Sequence, residues 1–176
     1  MKRRETLTLA RIALLCALAV ALSALESIFT PVLPLGARAG LSNVVVMLAA
    51  VYMGLPATLA IVLFKVTFAL LTRGAVSALL SLLGGLSSAL LLLALFRYAR
   101  PLGTLGISVL GAVTHSAAQL LGSCLLYGTG VLAYAPVLLA LSLPSGAITA
   151  TALRALEHFP LFQKINRKET KDEGSL

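Results

Sequence analysis

From Thr8 to Leu153 the chain is a nearly continuous succession of apolar runs, broken by short Gly- and Pro-containing stretches such as TPVLPLGAR and GLP. A helix needs about 20 apolar residues to cross the hydrocarbon of a bilayer, and fewer where the membrane is locally thin or neighbours bury it. The breaks mark off six segments: Thr8 to Phe29, Gly40 to Met53, Ala57 to Thr72, Val76 to Phe96, Leu105 to Tyr127 and Val131 to Leu153. The second and third are short and would tilt or be enclosed by the others. The expected fold is therefore all-α, a polytopic membrane protein with six transmembrane helices.

Composition points the same way. Of the 176 residues 59% are hydrophobic and 11% charged, with a mean hydropathy of +1.01, well beyond what a soluble domain of this length requires. Residues 1–7 and the basic tail 156–176 hold too few apolar side chains to build a core. Residues 8–155 thus form a single membrane domain. The net charge of +8 comes from short basic groups flanking apolar runs, without interleaved aromatic residues, which argues against a nucleic-acid partner. Cys16 and Cys124 fall in separate apolar segments with no metal-binding spacing, and read as two small buried side chains.

Basic residues orient the set, because short cytoplasmic loops carry an excess of Lys and Arg. Lys2, Arg3, Arg4 and Arg11 precede or open the first segment, Arg97 and Arg100 follow the fourth, and Arg154, Lys164, Arg167, Lys168 and Lys171 follow the sixth. Six crossings put all of them on one side, with both termini cytoplasmic in a multi-pass cell-membrane protein. A competing reading takes MKRRETLTLAR and IALLCALAVALSAL as the n- and h-regions of a signal peptide.

An ionisable side chain inside a membrane costs about 3 kcal/mol on insertion scales, so Glu26, Lys65 and His115 each need a partner or a wet cavity. In GAVTHSAAQLLG, His115 and Gln119 are four residues apart and project from one helix face about 6 Å apart along the axis. Lys65 and His115 lie near the midpoints of the third and fifth segments, and Glu26 lies toward the outer end of the first. Arg38, Asn43 and Arg73 would join them from the outer rim. The cations outnumber the single acid, which favours a ligand carrying carboxylate or phosphate. The plainer alternative is that Lys65 snorkels or pairs with Glu26, that His115 and Gln119 hydrogen-bond across helices, and that Arg38 and Arg73 are interfacial charges.

Ala13, Ala17 and Ala21 form a stripe of small residues along the first segment, suited to close approach of another helix either within the protein or from a partner. Gly84 and Gly85 in SLLGGLSSALL suggest similar close packing in the fourth. Catalytic signatures are absent. Asp172 is the only aspartate, which excludes the paired aspartate-rich motifs that hold magnesium in prenyl diphosphate chemistry, and no GxxxxGK[ST], HExxH or GxSxG occurs. No catalytic residue, metal site or covalently bound cofactor is expected, and any ATP would act through partner subunits.

The ordered elements PLGARAGLSNVVVMLA, LFKVTFALL, SLLGGLSSALL, GAVTHSAAQLLG and YAPVLLALSLPSGAITA resemble the Gx transporter family, often labelled heptaprenyl diphosphate synthase component I, over about residues 10 to 155. That family looks like a relative of the S-components of energy-coupling factor transporters. The resemblance implies an S-component-like bundle that captures a vitamin, cofactor precursor, or flavin- or isoprenoid-type compound. On the residue reading above, the substrate contacts of such a bundle would be Glu26, Arg38, Asn43, Lys65, Arg73, His115 and Gln119. It also implies that Ala13, Ala17 and Ala21 dock an energy-coupling transmembrane subunit that works with ATPases. The alternative is a noncatalytic accessory of a prenyl diphosphate synthase or of a flavin- or quinone-linked redox complex. Relative to the family pattern, Arg38 stands in place of lysine, Lys65 in place of arginine and Ser116 in place of asparagine.

Topology is tested by cysteine labelling in a cysteine-free background. Single cysteines at Ser77 and Thr129 should react with an impermeant reagent from outside and one at Thr170 should not; the reverse pattern would overturn the orientation.

Overall fold

The computed structural model describes residues 3–29, 42–98 and 103–157. They form helices α1 (Arg3–Phe29), α2 (Asn43–Tyr52), α3 (Gly54–Arg73), α4 (Ala75–Tyr98) and α5 (Thr104–Tyr127), a 3₁₀ segment (Thr129–Tyr134) and helix α6 (Ala135–Glu157), with no strand among the described residues. Four of the helices, α1, α3, α4 and α5, together with the span from Thr129 through α6, are long and apolar enough to cross a membrane, whereas α2 is a shorter apolar helix. This is the all-α membrane bundle that the apolar runs predict.

The distribution of side chains suits a lipid exterior. Leu14, Ile28, Leu71, Leu121 and Leu125 lie exposed on the outside, while Ser23, Glu26, Asn43, Lys65, Ser108, His115 and Gln119 are buried. In water such a surface would be a large unprotected apolar patch; in a bilayer it faces like with like.

Helix α2 sits in the middle. Its sequence NVVVMLAAVY is apolar on every side, and all of its residues except Val51 are buried, as expected for a helix enclosed by others. It packs against α1, α3, α4 and α6, while α3, α4, α5 and α6 pack as neighbours in chain order and α1 lies on α3. One core cluster joins Cys16 and Ala19 of α1 to Val45, Val46 and Ala49 of α2, to Ile61 and Val62 of α3 and to Ala89 of α4. A second joins Val44, Met47, Leu48 and Tyr52 to Leu92, Ile107 and Leu153, on α4, α5 and α6.

The fully described connections are very short: Met53, Gly74 and Gly128 each stand alone between two helical elements. Gly74 alone separates α3 from α4, with φ of +85°, a conformation that costs a residue with a Cβ about 1 kcal/mol or more. Its N–H still bonds the carbonyl of Leu70 at 3.1 Å, closing the helix end.

Boundaries differ from the sequence expectation at several helices: the first begins at Arg3 rather than Thr8, and the fourth ends at Tyr98 rather than Phe96. The second helix begins at Asn43 rather than Gly40, although Gly40 itself lies outside the described residues. The third begins at Gly54 rather than Ala57, with Pro56 inside its first turn, where a missing N–H breaks no helical bond. The sixth segment is not α-helical from Val131: Thr129–Tyr134 is a 3₁₀ segment, and the α-helix starts at Ala135, just ahead of Pro136. It also runs on to Glu157, past the expected end at Leu153.

Glycines set the closest helix approaches, as small residues do where lipid offers no hydrophobic drive for association. A Cβ on Gly146 of α6 would lie 2.6 Å from Val109 Cα of α5, a backbone atom that cannot step aside, whereas one on Gly130 would meet nothing within 4 Å. Gly146→Ala should therefore destabilise the bundle by about 1–3 kcal/mol, read as a lower thermal midpoint in detergent, and Gly130→Ala should not. Equal midpoints would show that α5 and α6 separate without penalty.

Candidate ligand-binding site

Lys65 is the largest fully buried side chain described, 2% exposed near the middle of α3. Its Nζ donates to Oδ1 of Asn43, the first residue of α2, at 3.2 Å. This bond places the start of α2 level with the centre of α3. The ten residues of α2 cover about 15 Å, against about 30 Å for the twenty of α3, and α2 ends one residue before α3 begins. Helix α2 therefore occupies only the half of the bundle nearest the Met53 turn, and its N-terminus opens toward the other half.

On that side, polar side chains tie α1 to α2 and α3. Ser42 donates to Glu26 Oε2 at 3.3 Å. Arg73, the last residue of α3, donates through Nη2 to Ser23 Oγ at 2.7 Å and lies over the Phe68 ring at 5.8 Å from its centroid, within electrostatic reach of Glu26. Arg73 Nε and Nη1 and Asn43 Nδ2 are buried donors with no acceptor among the described residues. Ser23 and Glu26, three residues apart, share the inward face of α1.

His115 and Gln119 are buried on α5 and occupy space that Gly84 of α4 leaves open. A Cβ on Gly84 would stand 2.8 Å from His115 Cε1 and 2.9 Å from Gln119 Cγ. The adjacent Gly85 turns the other way, toward Val62 of α3, whose Cγ1 would lie 3.0 Å from a Cβ there. Lys65 lies nine residues before the Gly74 turn and Gly84 ten after it, about 14 and 15 Å along their helices. The imidazole beside Gly84 is thus at nearly the depth of the lysine. Ser81 on α4 and Ser145 on α6 add buried hydroxyls without hydrogen-bond partners among the described residues.

Of the residues singled out from sequence, Glu26, Asn43, Lys65 and Arg73 come together at the α1–α2–α3 junction, while His115 and Gln119 form a separate pair on α5 against α4. Arg38 lies outside the described residues. Ala13, Ala17 and Ala21 are all exposed on α1, opposite the buried Cys16, Ala19, Ser23 and Glu26, so the stripe faces away from the core of the described bundle. Ser23, Ser42 and the role of Gly84 were not anticipated, although Ser42 immediately precedes Asn43 and Gly84 stood out as half of a pair.

Gly84→Ala should lower stability by about 1–3 kcal/mol through overpacking, and adding His115→Ala should recover part of that loss because the new methyl takes room the ring vacates. A double-mutant cycle on thermal midpoints reads the coupling; strict additivity would mean that the ring and Gly84 do not share this space.

A family model described as heptaprenyl diphosphate synthase component I matches residues 15–156. No curated protein and no solved structure matches the chain. The matched span takes in Glu26, Asn43, Lys65, Arg73, His115 and Gln119, together with the Gly84–Gly85 pair against which two of them are arranged. By that match over most of its length, the chain belongs to the heptaprenyl diphosphate synthase component I family.

Proposed function

We propose that the protein is a noncatalytic membrane subunit that binds a small anionic or amphipathic compound for uptake, in the manner of an S-component. Vitamins, cofactor precursors, and flavin- or isoprenoid-type molecules are the candidate classes. The observation that carries the reading is the polar set at mid-depth and toward the Gly74 end of the bundle: buried Lys65, Asn43 and Glu26 with half-buried Arg73 on one side, buried His115 and Gln119 on the other. A purely structural bundle gains little from such residues, since each must be desolvated and then partnered. Binding energy from a ligand gives them a purpose.

The outward-facing Ala13, Ala17 and Ala21 support a partner helix at α1, through which ATPase subunits would supply energy to a chain without a P-loop. The family's name favours a second reading, a membrane accessory of a prenyl diphosphate synthase. An accessory in a flavin- or quinone-linked redox complex is a related case. Copurification separates them: a transport subunit brings down coupling and ATPase proteins, an accessory a soluble synthase or flavoprotein.

The binding test uses the compound captured by native mass spectrometry after gentle extraction. Lys65→Met should leave a folded protein that has lost about 2–5 kcal/mol of affinity, and adding Glu26→Gln should not restore it. His115→Ala should weaken capture as well. Recovery in the double variant would make Lys65 a structural counter-charge. Near-wild-type capture in both Lys65→Met and His115→Ala would place the ligand elsewhere and reduce HSAAQ to a packing seam.

A further inference from the structure

Helix α2 begins inside the bundle without a side-chain cap. Ser42 occupies the N-cap position with φ and ψ of −66° and −14°, and makes no capping hydrogen bond. Its hydroxyl goes to Glu26 instead. The first turn of α2 also lacks an acidic residue. The opening N–H groups of a helix have no partner within the helix and carry its positive end, so they call for an acceptor.

Asn43 adds an independent requirement. It is 6% exposed, and Lys65 Nζ donates to its Oδ1. The opposite amide orientation would press two N–H donors against an ammonium, so the lysine fixes Nδ2 as the other end of the carboxamide. Nδ2 is buried and has no acceptor among the described residues. The amides of the first turn and the Asn43 NH₂ are all donors, and the lysine charge stands directly behind the carboxamide. A cation would be repelled here. A neutral oxygen accepts from only one or two of these donors and gains little from the lysine and the positive helix end, whereas an anionic oxygen accepts from several at once and is attracted by both.

We propose that the N-terminal end of α2 is the head-group site for a phosphate or carboxylate, with Asn43 Nδ2 and the first-turn amides as donors and Lys65 as the supporting charge. The site rests on the ligand-binding reading above and specifies which end of the ligand lies at α2. Glu26 does not oppose it alone, because its carboxylate accepts from Ser42 and lies within electrostatic reach of Arg73.

The full chain in nanodiscs would be titrated with inorganic phosphate and, separately, with acetate, following ligand line broadening by NMR. Asn43→Asp keeps the shape and the acceptor toward Lys65 but replaces the donor end with negative charge. Binding of whichever anion the wild type takes should weaken at least tenfold, and the response to phosphate or to acetate identifies the head group. Should Asn43→Asp fail to fold, Asn43→Leu removes the donors without adding charge and carries the same expectation. Binding of neither anion by the wild type, or affinity within twofold of wild type in the variant, overturns the head-group site. If the compound captured by the wild-type protein in native mass spectrometry is captured equally by the Asn43 variant, only this site fails. If the wild type captures nothing, the ligand-binding reading fails with it.

Discussion

The hydrogen bond from Lys65 to Asn43 decides how the bundle is divided. A lysine at the centre of a membrane helix requires a partner, and here the partner is the first residue of another helix. Helix α2 consequently starts at half depth and runs only to the Met53 turn, still surrounded by α1, α3, α4 and α6. A peptide chain in lipid must satisfy its backbone internally unless it lines protein or water. A half-length helix is tolerated here because neighbours enclose it. The cluster of Ser23, Glu26, Ser42 and Arg73 lies on the side of Asn43 that α2 leaves uncovered.

Lipid removes the hydrophobic reward for bringing helices together, and the bundle compensates through shape. Gly146 lets α6 approach the backbone of α5, and Gly85 admits Val62 of α3. Gly84 does something different: the space beside it is filled by His115 and Gln119, polar residues where packing alone would select apolar ones. Close packing and the candidate site therefore meet in one dipeptide of α4.

Much of the fold was legible because hydrocarbon imposes a simple length rule on apolar runs, and Gly and Pro interrupt them at the turns. The 3₁₀ segment before α6 was not legible: TGVLAY is as apolar as the helix it precedes, and only hydrogen-bond spacing tells them apart. Lys65, Glu26 and His115 stood out because ionisable groups are costly in lipid. Ser23 and Ser42 did not, because serine is common in membrane helices and its partner cannot be read from composition. Sequence also left open whether Ala13, Ala17 and Ala21 face inward. The burial of Cys16, Ala19, Ser23 and Glu26 on the opposite face of α1 decides it in favour of the outside.

The single-residue turn at Gly74 gives the α3–α4 hairpin no slack. Lys65 and Gly84 are held nearly level by the nine and ten residues that separate them from that turn. The hairpin therefore works as a ruler. One residue added on either arm would slide the lysine and the imidazole pocket past each other by about 1.5 Å and rotate one of them about 100° around its helix. On the ligand-binding proposal, ligands of different length would be accommodated by changing side chains along this ruler and not the ruler itself, which would keep the spacing from Lys65 to Gly84 fixed.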